Sequence, residues 1–429
     1  MEIDIYESPE YKRSRAAYMA QCTFEYFISL LVTDAFLAKL LTHIGISDSV
    51  IGIISSLITF SFLFQLLAIY LMAHLKDTKK TVILFDSLSQ LFFLGIYMVP
   101  FLPVSVSIKT SLAVLLILFA YIFKYLILSL CFKWANSYVN PHLRGEYSAV
   151  KEMISLVSGI IFTLIVGYVF DFFENMGDIH KSFIFIAISM LILSICNFIS
   201  LVMIKNENKK EVSSQKKSFR EVMSNTLGNK SFVNVIIMTV LWDVGRYLTI
   251  GFLGTFKTSD LLLSVGAIQL INIIANFCRM AISKPFGRYS DKTSYAKGFR
   301  LALCITLVGY VAIIFCNQQS WWLIVVYTIF VNVGTAGTNQ NSYNITYNYV
   351  RSEYIVQAMA VKNSISGTFG FCASLIGSRV LAYVQSNGNT FLGLHVYGQQ
   401  VLAFFSVIFI ILTILFIKFV IEKQDRIIQ

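Results

Sequence analysis

An all-α polytopic membrane protein, with twelve spanning helices in two pseudo-symmetric six-helix bundles, is the architecture this 429-residue sequence predicts. Three observations predict it. The chain is 56% hydrophobic but only 13% charged, with a mean hydropathy of +0.71, whereas soluble domains carry about 25% charged residues. Lipid must therefore be part of its solvent. The apolar residues fall into runs of membrane-spanning length, six on each side of one long polar stretch. Finally, the chain repeats itself: Asn136-Ser137-Tyr138, Arg144-Gly145-Glu146-Tyr147 and Ala149-Val150-Lys151 recur in order as Asn341-Ser342-Tyr343, Arg351-Ser352-Glu353-Tyr354 and Ala360-Val361-Lys362.

Runs of roughly 20 apolar residues, enough to cross about 30 Å of hydrocarbon, place the spans in order. The first, 16–42, follows the polar segment Met1 to Arg15 and is too long for a signal-peptide core, so it is expected to stay in the mature chain. The second, 48–74, ends at the basic loop Lys76-Asp77-Thr78-Lys79-Lys80, and the third, 81–104, closes near Pro100 and Pro103. The fourth and fifth, 108–138 and 147–171, flank the first copy of the repeated motif, and 181–204 completes the first half. The polar stretch 205–230 holds Lys205, Lys209, Lys210, Lys216, Lys217, Arg220 and Lys230, as a cytoplasmic basic linker beside anionic lipid would. The second half runs 231–256, 261–285, 299–317, 320–346, 356–381 and 394–421, with the second copy of the motif between its fourth and fifth spans. The expected divisions are thus a bundle at 1–204, the linker at 205–230 and a bundle at 231–429.

The net charge of +11 does not point to nucleic acid. If both termini are cytoplasmic, most of the Lys and Arg fall in cytoplasmic segments, so the excess reads as a topology signal in the plasma membrane. The seven cysteines lie inside expected helices with no Cys-x-x-Cys spacing, which suits neither disulfides nor a thiolate metal site. The five histidines stand at loops or helix ends without a metal-binding pair. No nucleophile with its base and no phosphate-cradling loop is found, so an enzyme is not expected, nor a cofactor or metal.

Charges inside the spans are the expected site of function, because an ionisable group near the bilayer centre costs at least about 2.5 to 3.5 kcal/mol. Glu25 in the first span and Asp243 in the seventh lie near mid-depth on related helices of the two halves. Lys124 is near the middle of the fourth span, and Asp243 and Arg246 are three apart on one helix face. Glu25 with Lys124 and Asp243 with Arg246 are the expected pairs. They are read either as structural neutralisation or as proton-coupling groups, with Asp34 a third carboxyl that serves coupling or stands solvated at the mouth. A duplicated stripe of small residues, Ser155, Gly159, Thr163 and Gly167 in the fifth span and Ser366, Gly370, Ser374 and Ser378 in the eleventh, lines one face of each helix. Such stripes let backbones approach closely, either as static packing or as a seam between moving halves.

The loops after the second and eighth spans carry the resemblance to a known family. The later one reads Gly287-Arg288-Tyr289-Ser290-Asp291-Lys292, and the earlier one reads Ala73-His74-Leu75-Lys76-Asp77 followed by Lys79-Lys80. Together with twelve spans in two halves these resemble the cytoplasmic signature of the major facilitator superfamily, although Ala73 replaces the first glycine and the second copy lacks the usual glycine and basic pair. The resemblance implies that Asp77 and Asp291 form a cytoplasmic gate with Arg144 and Arg351 and with the starts of the eleventh and fifth spans. It also implies a central cavity lined by the first, fourth, seventh and tenth spans, which here carry Glu25, Tyr26, Lys124, Trp134, Asn136, Trp242, Asp243, Arg246, Asn332 and Asn339. Asn272, Asn276 and Arg279 on the eighth span suit interdomain hydrogen bonds or a second cavity wall. The expected function is secondary transport of a small organic solute by alternating access, coupled to protons, by a monomer. Efflux of amphipathic compounds is the alternative, and a transporter-like receptor or lipid scramblase is the alternative of a different class. The signatures of drug-proton antiporters and sugar porters are absent from the fifth span and from Ile204 to Asn208.

Overall fold

Each of the twelve apolar segments contains a helix in the computed structural model, which describes residues 6, 8–68, 77–139, 144–206, 227–350 and 354–424. The helices are α1 (Pro9–Leu31), α2 (Asp34–Ile44), α3 (Asp48–Ser61), α4 (Thr78–Ile96), α5 (Val106–Asn136), α6 (Arg144–Asn175) and α7 (Ile179–Met203), then α8 (Lys230–Tyr247), α9 (Val265–Lys292), α10 (Tyr295–Ile314), α11 (Leu323–Tyr349), α12 (Ile355–Ser386) and α13 (Gly398–Phe416). Among the described residues nine spans are long and apolar enough to cross a bilayer, and α1 with α2 makes a tenth. The two expected spans that fall short do so by composition. Helix α4 carries Lys79, Lys80 and Asp86, and α11 carries a run of amides and hydroxyls. Most of the expected linker, 207–226, lies outside the described residues.

The first span is broken. Ser8 caps α1 by accepting from the Tyr11 amide at 3.4 Å, with Pro9 in the first turn where its missing N–H costs nothing. After Val32 and Thr33 the helix axis bends by 43° into α2, and Asp34 takes a left-handed φ of 49°. Aspartate tolerates that region far better than a branched residue would. The seventh span is discontinuous as well, passing from α8 into a 3-10 turn at Ile250–Phe252 and a π turn at Phe256–Asp260. Thr249 and Ser406 hydroxyls bond at 2.7 Å beside that break. The expected twelfth span starts later than 394, because Thr390–Phe391 and Leu394–His395 pair as a small hairpin.

The chain packs as two compact units, Met1–Gly45 with Leu67–Lys217, and Ile46–Leu66 with Ser218–Gln429. The sequence repeat puts the second span in the first half; by packing, α3 belongs to the second unit, where it lies on α12 and on the turn at Ile250–Phe252. In the first unit α1 packs on α6 and α7, and α4 on α5. Its inner core holds Tyr18, Ile127, Trp134, Tyr138 and Leu201. Lys79 donates to the Val202 and Ile204 carbonyls at 2.7 and 2.6 Å, satisfying backbone acceptors that the end of α7 leaves open. In the second unit α8 packs on α12 and α13, and α10 on α11, around Phe232, Trp242, Phe299, Tyr310 and Tyr327. Asn229 caps α8 by accepting from Ser231 and Phe232 while its amide donates to the Tyr349 carbonyl at 2.6 Å.

Candidate functional site: buried charge clusters in each unit

In the first unit Glu25 and Lys124 form an ion pair at 3.0 Å, each side chain about a fifth exposed, at 23% and 20%. Gln21, one turn before Glu25 on α1, donates to its other oxygen at 2.9 Å. Lys151 stands 4.7 Å over the Tyr18 ring and lies within electrostatic reach of Glu25. Asp86 on α4 is 4% exposed and accepts from the Asn197 amide.

The small-residue stripe explains how Lys151 gets there. Four-residue steps back from Gly159 and Ser155 reach Lys151, so all three share a face of α6. That face meets α1 of the same unit: Ser155 and Thr23 hydroxyls lie 3.1 Å apart, and a Cβ on Gly159 would stand 2.5 Å from the Tyr26 ring. Thr163 and Gly167 continue the buried side of the helix. Ser155 and Gly159 of this stripe thus pack on α1 within their own unit.

The second unit repeats the arrangement. Stepping back from Gly370 and Ser366 reaches Lys362 on α12. A Cβ on Gly370 would stand 2.7 Å from the Tyr247 ring of α8, and Ser366 hydrogen-bonds the buried Asp243 carboxyl. Ser374 and Ser378 are buried further along. Lys362 is only 3% exposed and donates to the Ser342 and Thr346 hydroxyls at 3.0 and 3.3 Å. It also acts on Asp243 through its charge, as does Arg246, whose guanidinium lies 5.2 Å from the Tyr247 ring. In both units, then, a lysine opens a small-residue stripe that lets its helix close on an acidic helix, and the lysine comes within electrostatic reach of the acid.

The whole chain can be compared with known proteins on this geometry. No protein-family model matches the sequence, and no curated protein sequence does. Among solved structures, a point mutant of the nucleoside transporter NupG superposes with a TM-score of 0.73 over 94% of this chain and 99% of its own, at 11% identity. A bacterial homologue of the human lysosomal transporter Spinster, inward-facing and unoccupied, gives 0.68 over 96% and 97%, at 14% identity. The POT family transporter PepTSo gives 0.69 over 97% and 98%, at 8% identity. The chain has the major facilitator fold.

Within that fold the remaining expected residues are distributed unevenly. Trp242 is part of the second unit's apolar core. Trp134 is buried too, and donates with Tyr138 to the Lys205 carbonyl at 3.0 and 2.7 Å, so it braces the end of α7. The Asn136 side chain lies outside the described residues. On α11 the amides and hydroxyls mostly bond one turn back, Asn332 to Thr328 at 2.9 Å, Thr335 to Val331 at 2.7 Å and Asn341 to Gly337 at 2.9 Å. That lowers the cost of placing so many polar groups in one span. Asn339 is exposed, and Asn272, Asn276 and Arg279 of α9 are half-buried. Of the expected gate, Asp77 caps α4 through the Lys80 amide at 3.1 Å, and Asp291 is exposed in the last turn of α9. Arg144 opens α6 with its side chain outside the description, and Arg351 lies outside the described residues. Sequence reasoning passed over Lys151, Lys362, Asp86 and Gln21. The two lysines were detectable, since each closes a copy of the repeat and starts a stripe. Asp86 is a lone acid in an apolar run.

Proposed function

We propose that the chain is a secondary transporter of a small polar organic solute, working by alternating access with proton coupling through Glu25 and Asp243. The observation that carries this is the duplicated placement of an acid on the first helix of each half within electrostatic reach of a lysine on the fifth. For a buried acid with a nearby cation, burial favours the protonated form and the cation the charged one, and a change of helix packing shifts the weight between them. Major facilitator neighbours described as nucleoside and POT family transporters support the transport class. In this reading the protein is a plasma-membrane monomer with both termini and the 205–230 linker cytoplasmic. Glu25, Tyr26, Lys124, Trp242, Asp243, Arg246, Asn332 and Asn339 serve the solute path, Asp34 is a third proton acceptor at the bend, and Asp77, Asp291, Arg144 and Arg351 form the inner gate.

Efflux of amphipathic compounds is a second reading, favoured by one feature of the first unit. A groove of about 780 Å³ runs between α1 and α6, with Met19, Phe24, Phe27 and Ile154 along it and Lys12 and Arg15 at one end. Its basic end suits amphipathic anions better than lipophilic cations.

Reconstituted vesicles with an imposed proton gradient test the proposal, after thermal-shift screening of nucleosides, peptides, sugars and organic acids. The stabilising solute should accumulate in a gradient-dependent way. Glu25→Gln or Asp243→Asn should abolish accumulation yet keep counterflow exchange. Accumulation that survives in both variants rejects the coupling role, and binding without any flux favours a receptor-like protein.

A further inference from the structure

Asp86 lies near the middle of α4 and is 4% exposed, yet among the described residues no cation lies within ion-pair distance of it. Glu25 and Lys124 act on it through their charges but form their ion pair with each other, at 3.0 Å; Lys151 sits over Tyr18. Its direct partners are neutral amides. The Asn197 amide nitrogen of α7 donates to its Oδ2, and Gln90, one turn on along α4, also hydrogen-bonds it. Both amides are nearly sealed from solvent, at 0% for Asn197 and 4% for Gln90.

Each therefore turns its nitrogen to the carboxyl, and each carbonyl oxygen, Gln90 Oε1 and Asn197 Oδ1, is buried without a hydrogen-bond partner. Ser87 Oγ and Ser194 Oγ are buried and unpartnered as well. Ser87 neighbours Asp86 and lies three residues before Gln90, and Ser194 lies three before Asn197, so each serine shares a helix face with one of the two amides. Buried oxygen acceptors without donors are costly, and a buried carboxylate without a counter-charge is costlier. A proton on Asp86 would supply one donor, enough for one of these oxygens. A hard cation would answer the carboxylate and, once the two amides rotate to turn their oxygens inward, the neutral oxygens as well.

We propose that Asp86, Gln90 and Asn197, with Ser87 and Ser194 beside them, form a binding site for a monovalent hard cation, sodium, between α4 and α7. The single carboxylate sets the charge at one, and the all-oxygen donor set excludes soft metals. This site shares no residue with the lysine and acid pairs of the proposed transport path, although the charges of Glu25 and Lys124 act on Asp86, and it holds whether or not that path is correct.

The test uses the full-length protein in detergent with sodium chloride titrated against N-methyl-D-glucamine chloride at constant ionic strength and pH. Sodium should raise the melting midpoint saturably. Asp86→Asn, which keeps the shape and the amide contacts, should abolish the rise, and Asn197→Ala should weaken the apparent sodium affinity at least tenfold. Radioactive sodium retained by the wild-type protein at one ion per chain, and displaced by unlabelled sodium, reads the same site without relying on a variant. No sodium-specific stabilisation and no retained sodium in the wild type would overturn the proposal. So would a response unchanged in Asp86→Asn, or a midpoint that follows pH but not sodium, since the carboxyl would then simply hold a proton. None of these readings involves solute flux, so they leave the transport proposal untouched.

Discussion

At the scale of single residues, the Glu25–Lys124 pair decides how much of the first unit's stability rests on charge. Two ions taken out of water repay their desolvation only when the geometry is good, and here it is, at 3.0 Å with Gln21 on the second oxygen. Lys124→Met removes the partner while keeping the stem. It should cost about 3 kcal/mol, the lower end for breaking a buried pair, because about a fifth of each side chain remains exposed. Glu25→Gln with Lys124→Met should recover most of that loss, since no buried charge is then stranded. A double-mutant cycle on melting midpoints checks both expectations, and a double variant as unstable as Lys124→Met would show that Lys124 acts by packing alone. The pair was legible in the sequence, because two opposite charges in apolar runs of one bundle have few other places to go. Lys151 and Lys362 were not read the same way: both fall at motif ends, where a lysine looks solvated. Only the packing of α6 on α1 and of α12 on α8 carries them inward.

Elements were read well where hydropathy alone decides them and poorly where a tertiary contact does. A helix in each of the twelve expected spans follows from an apolar run, a local property. The bend between α1 and α2 has no proline or glycine to announce it, and its sign is the left-handed Asp34. The small-residue stripes were seen, but a stripe states only that something comes close. In the structure that something is the ring of Tyr26 for Gly159 and the ring of Tyr247 for Gly370. Gly159→Leu and Gly370→Leu should each lower stability by about 1 to 3 kcal/mol through overpacking, with the aromatic ring forced from its place and the lysine of that stripe displaced from its acid. Pairing Gly159→Leu with Tyr26→Ala should relieve much of the loss, because the clash is with that ring. If the double variant melts no higher than Gly159→Leu alone, the close approach is to something other than Tyr26.

On the scale of the whole molecule, sequence symmetry and packing give different divisions, and that difference has a measurable consequence. The repeat assigns the second span to the first half, but α3 is packed within the second unit. Asp48 accepts from Gln385 at 2.9 Å, the Phe62 carbonyl accepts from Ser364 at 2.8 Å, and Phe60 and Phe371 rings lie 5.2 Å apart. A Cβ on Gly367 would stand 2.6 Å from the Thr59 carbonyl oxygen, so two backbones meet there as closely as glycine permits. Hydropathy could not reveal this, because every span in lipid is apolar and the choice of partner lies in side-chain shape. A chain expressed as two fragments, 1–216 and 217–429, would leave α3 covalently in one fragment while its packing partners are in the other. The fragments should therefore co-purify from detergent without a covalent link between them, held by the contacts of α3. Gly367→Leu in the second fragment should reduce the recovered first fragment several-fold, since a leucine cannot sit against a carbonyl at that distance without separating α12 from α3. Thr59→Ala keeps the backbone oxygen in place and should leave recovery unchanged. Equal recovery with Gly367→Leu would mean that α3 does not hold the fragments together and that the division of the chain follows its sequence repeat after all.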